Sequence, residues 1–237
     1  MKVRTLFLFL LYVVIVICLT PLLVFCILFG IREPFYDIGK ATMRLSRWIL
    51  GLRLEVTGLE QVDPAKTYVF IGNHVSLIDG PLLFMLIPQH VRVILKKGIF
   101  RLPILGFGMK YIGFVPVDRN RAQRGKEAIE GAARQMRERK YSFLIFPEGT
   151  RSRDGNLAAF RRGGFFLAVE SGAPIVPVSI RGTFEIMPKG CFFVNKGDIR
   201  VSFRPAIPVQ NTGAQDLTDL MDKVRTSIQD GLGEEKT

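Results

Sequence analysis

The chain has little of what metal, redox or serine-nucleophile chemistry requires. Among 237 residues there are three cysteines and two histidines. Cys18 and Cys26 lie in one apolar run and Cys191 stands alone, so no disulfide framework is laid out and a reducing, cytosolic compartment fits. Neither those cysteines nor His74 and His90 have zinc-ligand spacing, and no metal is implied. A Gly-x-Ser-x-Gly elbow is missing, which removes the usual setting for an attacking serine. Internal repeats and low-complexity tracts are missing as well. The longest absence is of charge: none occurs from Thr5 to Ile31.

That uncharged run is about 27 residues, or ~40 Å as a helix, against a hydrocarbon core of ~30 Å. Lys2 and Arg4 precede it as a basic lead, as in a signal peptide. The run exceeds the ~7–15 apolar residues of a signal core, and no small-x-small cleavage pattern follows. A retained anchor is the expectation. Pro21 inside the run leaves open whether it spans or bends back as a hairpin within one leaflet. Arg32, Lys40, Arg44, Arg47 and Arg53 follow the run and place the remainder on the cytosolic face of an inner or plasma membrane. Phe35 to Leu54 mixes these bases with Phe35, Ile38, Leu45, Trp48, Ile49 and Leu52. It reads either as an amphipathic helix at headgroup level or as a helix packed on the domain.

Beyond Gly58, short β-branched runs alternate with helical ones. Tyr68–Ile71, Val91–Leu95, Ile112–Val117, Phe143–Phe146, Ile175–Ile180 and Ile199–Phe203 read as strands. Asp79–Leu86, Arg121–Lys140, Phe160–Ser171 and Leu217–Ile228 read as helices, and Gly231–Thr237 as a frayed tail. The expected fold class is α/β, a mixed, largely parallel sheet flanked by helices. An N-terminal hydrophobic membrane-anchoring segment and amphipathic helix would occupy residues 1–54, and the main domain residues 55–230. Lys and Arg exceed Asp and Glu by 33 to 21, a net charge of +12 that suits an anionic bilayer or a phosphorylated substrate. No nucleic-acid module signature accompanies the charge.

Two motifs begin where strands are expected to stop, the edge at which open α/β sheets gather functional groups. The first is Asn73-His74-Val75-Ser76-Leu77-Ile78-Asp79. Five residues on a regular helix turn ~140° apart, so His74 and Asp79 meet only if His74 lies in a loop and Asp79 starts the helix. In that geometry a neutral imidazole takes a proton from an alcohol while the carboxylate orients it. With no enzyme nucleophile in sight, the substrate brings the hydroxyl. The second motif is Phe146-Pro147-Glu148-Gly149-Thr150-Arg151-Ser152, whose guanidinium and glycine-exposed backbone suit a phosphate.

The pair of motifs, about seventy residues apart, resembles the glycerophospholipid acyltransferase family, in particular its 1-acyl-glycerol-3-phosphate acyltransferases. The resemblance runs from about Val56 to Ile207 and is joined by Val117-Asp118-Arg119 and by Ala173-Pro174-Ile175-Val176-Pro177. It implies that His74 is the general base, that Asp79 orients it, and that Glu148, Gly149, Thr150, Arg151 and Arg119 bind the acceptor phosphate. The family's Lys-x-Glu-Leu reads Lys96-Lys97-Gly98-Ile99 here. The Glu is absent, and Lys96 is the residue left to reach a phosphate. The implied partners are membrane lipids, lysophosphatidic acid, and acyl-CoA or acyl carrier protein as co-substrate, with no cofactor. Glycerol-3-phosphate, another lysophospholipid or an N-acylated lipid are alternative acceptors. A non-catalytic protein that binds anionic lipid is the reading from a different class.

Overall fold

A computed structural model describes residues 2–118, 122–209 and 214–233. In chain order the helices are α1 (Lys2–Leu28), α2 (Glu33–Leu50), α3 (Asp79–Leu86), α4 (Leu105–Tyr111), α5 (Ala122–Arg139), α6 (Gly163–Ser171), α7 (Thr183–Ile186) and α8 (Ala214–Gly233). The strands are β1 (Arg53–Thr57), β2 (Val69–Gly72), β3 (Val91–Lys96), β4 (Val115–Val117), β5 (Ser142–Ile145), β6 (Ile175–Arg181) and β7 (Asp198–Phe203).

The seven strands form one sheet in the order β1-β7-β6-β2-β5-β3-β4. β6, β2, β5, β3 and β4 run parallel, β7 is antiparallel to β6, and β1 is parallel to β7. The α/β class with a mixed, mostly parallel sheet is what the alternating pattern implies. Central strands are apolar on both faces, as a sheet covered on both sides demands: Val69, Phe70 and Ile71 of β2 are all fully buried. One face packs Phe70, Leu144 and Val178 against α3 and Tyr36 of α2. The other packs Val69, Ile71 and Phe143 against α5, α6 and α8.

Several boundaries differ from the sequence reading, each for a local reason. The helix expected to run to Leu54 stops at Leu50. Gly51 takes the left-handed conformation at φ 68°, its N–H bonds Trp48 O, and the chain leaves as β1 along β7. Strand β1 was not anticipated, and it crosses residue 54. The strand expected from Ile112 starts only at Val115, because α4 runs to Tyr111 and Gly113 turns the chain at φ 97°. The helix expected from Phe160 starts at Gly163, since Arg161 N–H is engaged by Pro147 O. Arg121, at the expected start of α5, and residues 234–237 of the expected tail lie outside the described residues.

Helix α1 is the one described helix long and apolar enough to cross a membrane. Its outer side is apolar and exposed at Leu6, Phe7, Leu10, Val14 and Ile17. It is tied to the domain at both ends. Near its start Thr5 Oγ1 accepts from Val194 N–H at 3.1 Å, and Phe9 meets the Phe192 ring edge-on. Near its end Leu23 and Cys26 are buried, and Tyr111 Oη donates to Cys26 O at 2.6 Å. Between them Tyr12 Oη and Ser46 Oγ of α2 share a hydrogen bond of 2.7 Å. Helix α2 is both packed and amphipathic: Tyr36 and Lys40 are buried while Leu45 and Trp48 face out.

Candidate active site

The C-terminal ends of β2, β5, β3 and β4 lie along one sheet edge and carry Asn73-His74, Phe146–Arg151, Lys96 and Val117-Asp118 respectively. The first loop is anchored before it reaches any chemistry. Asn73 is buried and clamps β6 twice, donating to Ile180 O at 2.9 Å and accepting from Ile180 N–H at 2.8 Å. His74 then sits in the loop and Asp79 is the first residue of α3, the irregular turn that brings them together. The His74 Nδ1 and Asp79 Oδ2 atoms are 2.9 Å apart.

Asp79 is fully buried, and the same Oδ2 accepts from Val75 N–H at 2.8 Å and Ser76 N–H at 2.7 Å. A carboxylate facing Nδ1 places the proton there and leaves Nε2 with its lone pair. The imidazole also lies flat on Phe146, with centroids 4.2 Å apart and planes at 19°. One ring face, one ring nitrogen and the backbone are therefore all fixed. Ser76 is fully buried and donates to Met187 O at 2.7 Å, which makes it a brace for the loop rather than a nucleophile.

Glu148, an acceptor contact in the resemblance, holds backbone in this structure. It is buried, with Oε1 accepting from His74 N–H at 2.6 Å and Oε2 from Ala158 N–H at 3.0 Å. Both oxygens hold backbone, so the carboxylate clips the two motif loops together. Burial pushes its pKa up, against the two N–H donors that favour the charged form. A second clip is Ser152 N–H donating to His74 O at 2.8 Å. Ser152 Oγ in turn donates to Asp154, whose carboxyl is held down to about 2 by this bond and by Asn156.

Gly149 has φ 72°, and a Cβ there would stand 3.0 Å from Arg161 Nε, so the tight loop needs glycine at this point. Arg151 forms no ion pair among the described residues. Lys96 is exposed at the end of β3, in register with Val117 of β4. Arg119 lies outside the described residues; Asp118 before it is 3.8 Å from Arg124. Two features were not read from the sequence. The Phe146 ring was assigned to a strand, and Lys189, which donates to Thr150 Oγ1 at 3.1 Å and Arg151 O at 3.0 Å, stands in no motif.

Leu77 and Ile78 lead from this loop into an apolar cavity of about 810 Å³ beneath α1, walled by Val13, Met43, Leu82 and Met109. Leu102 and Leu105 close its side, so part of the apolar stretch 99–107 lines it.

Comparison with known proteins places this arrangement. A family model described as Acyltransferase matches residues 53–181. The chain is 34% identical over 182 residues to a chloroplastic 1-acyl-sn-glycerol-3-phosphate acyltransferase of Brassica napus, covering 76% of this chain and 51% of that protein. It is 30% identical over 201 residues to an uncharacterized acyltransferase of Schizosaccharomyces pombe, covering 84% and 72%. The chain spans about half the length of the first plant relatives it matches. Its fold matches the crystal structure of the 1-acyl-sn-glycerophosphate acyltransferase of Thermotoga maritima with a TM-score of 0.83, at 21% identity, over 100% of this chain and 97% of that one. Since the family model spans more than half of its residues and contains both motif loops, the chain belongs to the acyltransferase family.

Proposed function

We propose that the chain transfers a fatty acyl group from acyl-CoA or acyl carrier protein to the sn-2 hydroxyl of 1-acyl-glycerol-3-phosphate, yielding phosphatidic acid and free thiol. The observation that carries this reading is the imidazole of His74, oriented by buried Asp79 and stacked on Phe146, beside a loop that presents Arg151. The acceptor oxygen attacks the thioester carbonyl carbon as Nε2 of His74 takes its proton. The tetrahedral oxyanion collapses, the carbon–sulfur bond breaks, and the thiolate leaves with the proton that Nε2 returns. Asp79 stabilises the imidazolium in between. No acyl-enzyme forms, and the reaction as written needs no cofactor. Arg151, Gly149 and Thr150, with Lys96 from the end of β3 and with Arg119, which the resemblance adds, hold the phosphate, and the cavity beneath α1 takes an acyl chain.

The two ties on α1 support attachment in the plane of the membrane. Thr5 and Cys26 are separated by 21 steps of helix, or ~32 Å, and both touch the domain. A helix crossing the bilayer would drag that polar domain through the hydrocarbon core. In-plane burial in one leaflet of an inner or plasma membrane, with the domain on the cytosolic side, satisfies both ties. Exposed Trp48 on α2 then lies at the headgroup level.

The test is thiol release by the purified full chain, with each donor and a panel of acceptors. Release that depends on lysophosphatidic acid is expected, and His74→Ala should lower it by about 10²–10⁴-fold. Near wild-type turnover by His74→Ala would end the general-base mechanism.

A further inference from the structure

The segment that follows α7 touches both motif loops, yet no part of the reaction described above uses it. Met187 O accepts from Ser76 Oγ at 2.7 Å, which docks the segment on the His74 loop. Two residues on, Lys189 reaches the other loop, donating to Thr150 Oγ1 at 3.1 Å and Arg151 O at 3.0 Å. An ammonium has three N–H donors, and these bonds use two. No carboxylate neutralises it: Lys189 has no ion pair among the described residues. A cation that spends two donors on the backbone and hydroxyl of a Thr-Arg turn keeps its charge and one N–H for a ligand. It stands on the backbone of Arg151, the residue whose guanidinium the proposed function assigns to that ligand.

Lys189 continues through Gly190 and Cys191 into Phe192 and Phe193, which are 55% and 41% exposed. Phe192 packs edge-on against Phe9 of α1, and Val194 N–H bonds Thr5 of the same helix. Lys189 therefore lies three residues along the chain from Phe192, which packs on the apolar helix α1.

We infer that Lys189 is a phosphate-binding residue of the acceptor site, acting with Arg151 to select a phosphorylated lysolipid. This rests on the proposed acyl transfer to such an acceptor. Lys189 grips one phosphate oxygen as a point charge while Arg151 presents its planar fork. Because Lys189 also holds Thr150 and the Arg151 carbonyl, binding phosphate and ordering the loop are the same event.

The experiment uses the full chain in mixed micelles, as wild type, Lys189→Met and Lys189→Arg. Two quantities are measured: binding of lysophosphatidic acid, and the ratio of kcat/KM for lysophosphatidic acid over monoacylglycerol, which lacks the phosphate. Lys189→Met should weaken binding and lower the ratio by about tenfold, the loss of one charge-assisted contact, mostly through KM. Lys189→Arg should restore most of both. A purely structural residue would depress both acceptors together and leave the ratio unmoved; that result, or unchanged binding by Lys189→Met, would overturn the inference. Binding that depends on Lys189 without any acyl transfer would overturn the acyltransferase reading and leave Lys189 as a phosphate ligand. A wild type that neither binds nor acylates lysophosphatidic acid overturns both.

Discussion

Glu148 has two readings, a contact to the acceptor and a clip between the motif loops, and Glu148→Gln separates them. In the wild type each carboxylate oxygen accepts one backbone N–H, His74 on one side and Ala158 on the other. A glutamine of the same shape has one oxygen, so one N–H must face an NH2 group. A buried N–H left without an acceptor costs about 1–3 kcal/mol. For a chain of this length that corresponds to a fall of about 2–12 °C in Tm. If the amide turns its nitrogen toward His74, the histidine backbone is pushed off the carboxyl, and a misplacement on the order of 1 Å costs about 10²-fold in rate. If it turns toward Ala158, the rate loss is smaller and the stability loss remains. The assay is thermal unfolding together with kcat and KM for lysophosphatidic acid in micelles. A lower Tm and a lower kcat, with KM within about twofold, is expected, since in this reading the carboxylate never touches the acceptor. Wild-type Tm and kcat with a strongly raised KM would refute the clip and return Glu148 to the phosphate site.

Two further outcomes follow from the fold. Lys40 is buried, and burial next to Arg44 lowers its pKa to about 8 from 10.5. Below pH 8 folded and unfolded chains both hold the proton; between about 8 and 10.5 only the unfolded chain does, so this residue makes stability rise with pH. The unfolding free energy of the wild type minus that of Lys40→Met should climb across that window by up to about 1.4 kcal/mol per pH unit, and a flat or falling difference by chemical denaturation would contradict it. For the membrane face, Phe192→Trp in a Trp48→Phe background leaves one tryptophan; brominated lipid in anionic vesicles should quench it strongly. Emission that stays unquenched and water-like would remove the 192–193 turn from the lipid surface.

The sequence made the sheet class, most helices and the His74–Asp79 pair legible because each is written in local pattern: apolar runs, a 3.6 period, a motif at a strand end. It hid what depends on distant partners. Glu148 meets backbone at residues 74 and 158, and no local spacing announces either bond. Lys189 sits after Met187-Pro188 in a stretch without pattern, and only the fold brings it to Thr150. Strand β1 was absorbed into the preceding helical pattern although Gly51 marked the stop, because its alternation is short and its partner β7 lies 145 residues away. The condition set on His74 and Asp79, a loop residue meeting the first residue of a helix, is the geometry found.

Helix α3 joins two of these features as a short strut. Asp79 is its first residue, and eight residues make a rod of ~12 Å. At the far end Lys40 of α2 donates to Ile87 O, and Tyr36 of α2 packs edge-on against Phe84 at 4.9 Å. The amphipathic helix thus grips one end of the rod and the histidine's carboxylate is the other. In the proposed in-plane attachment, with α2 in the headgroups, α3 would carry the elevation of the helix to the carboxylate that orients the imidazole. In that proposal the base would stand at a set height above the lipid, and the acceptor hydroxyl would be brought up to it.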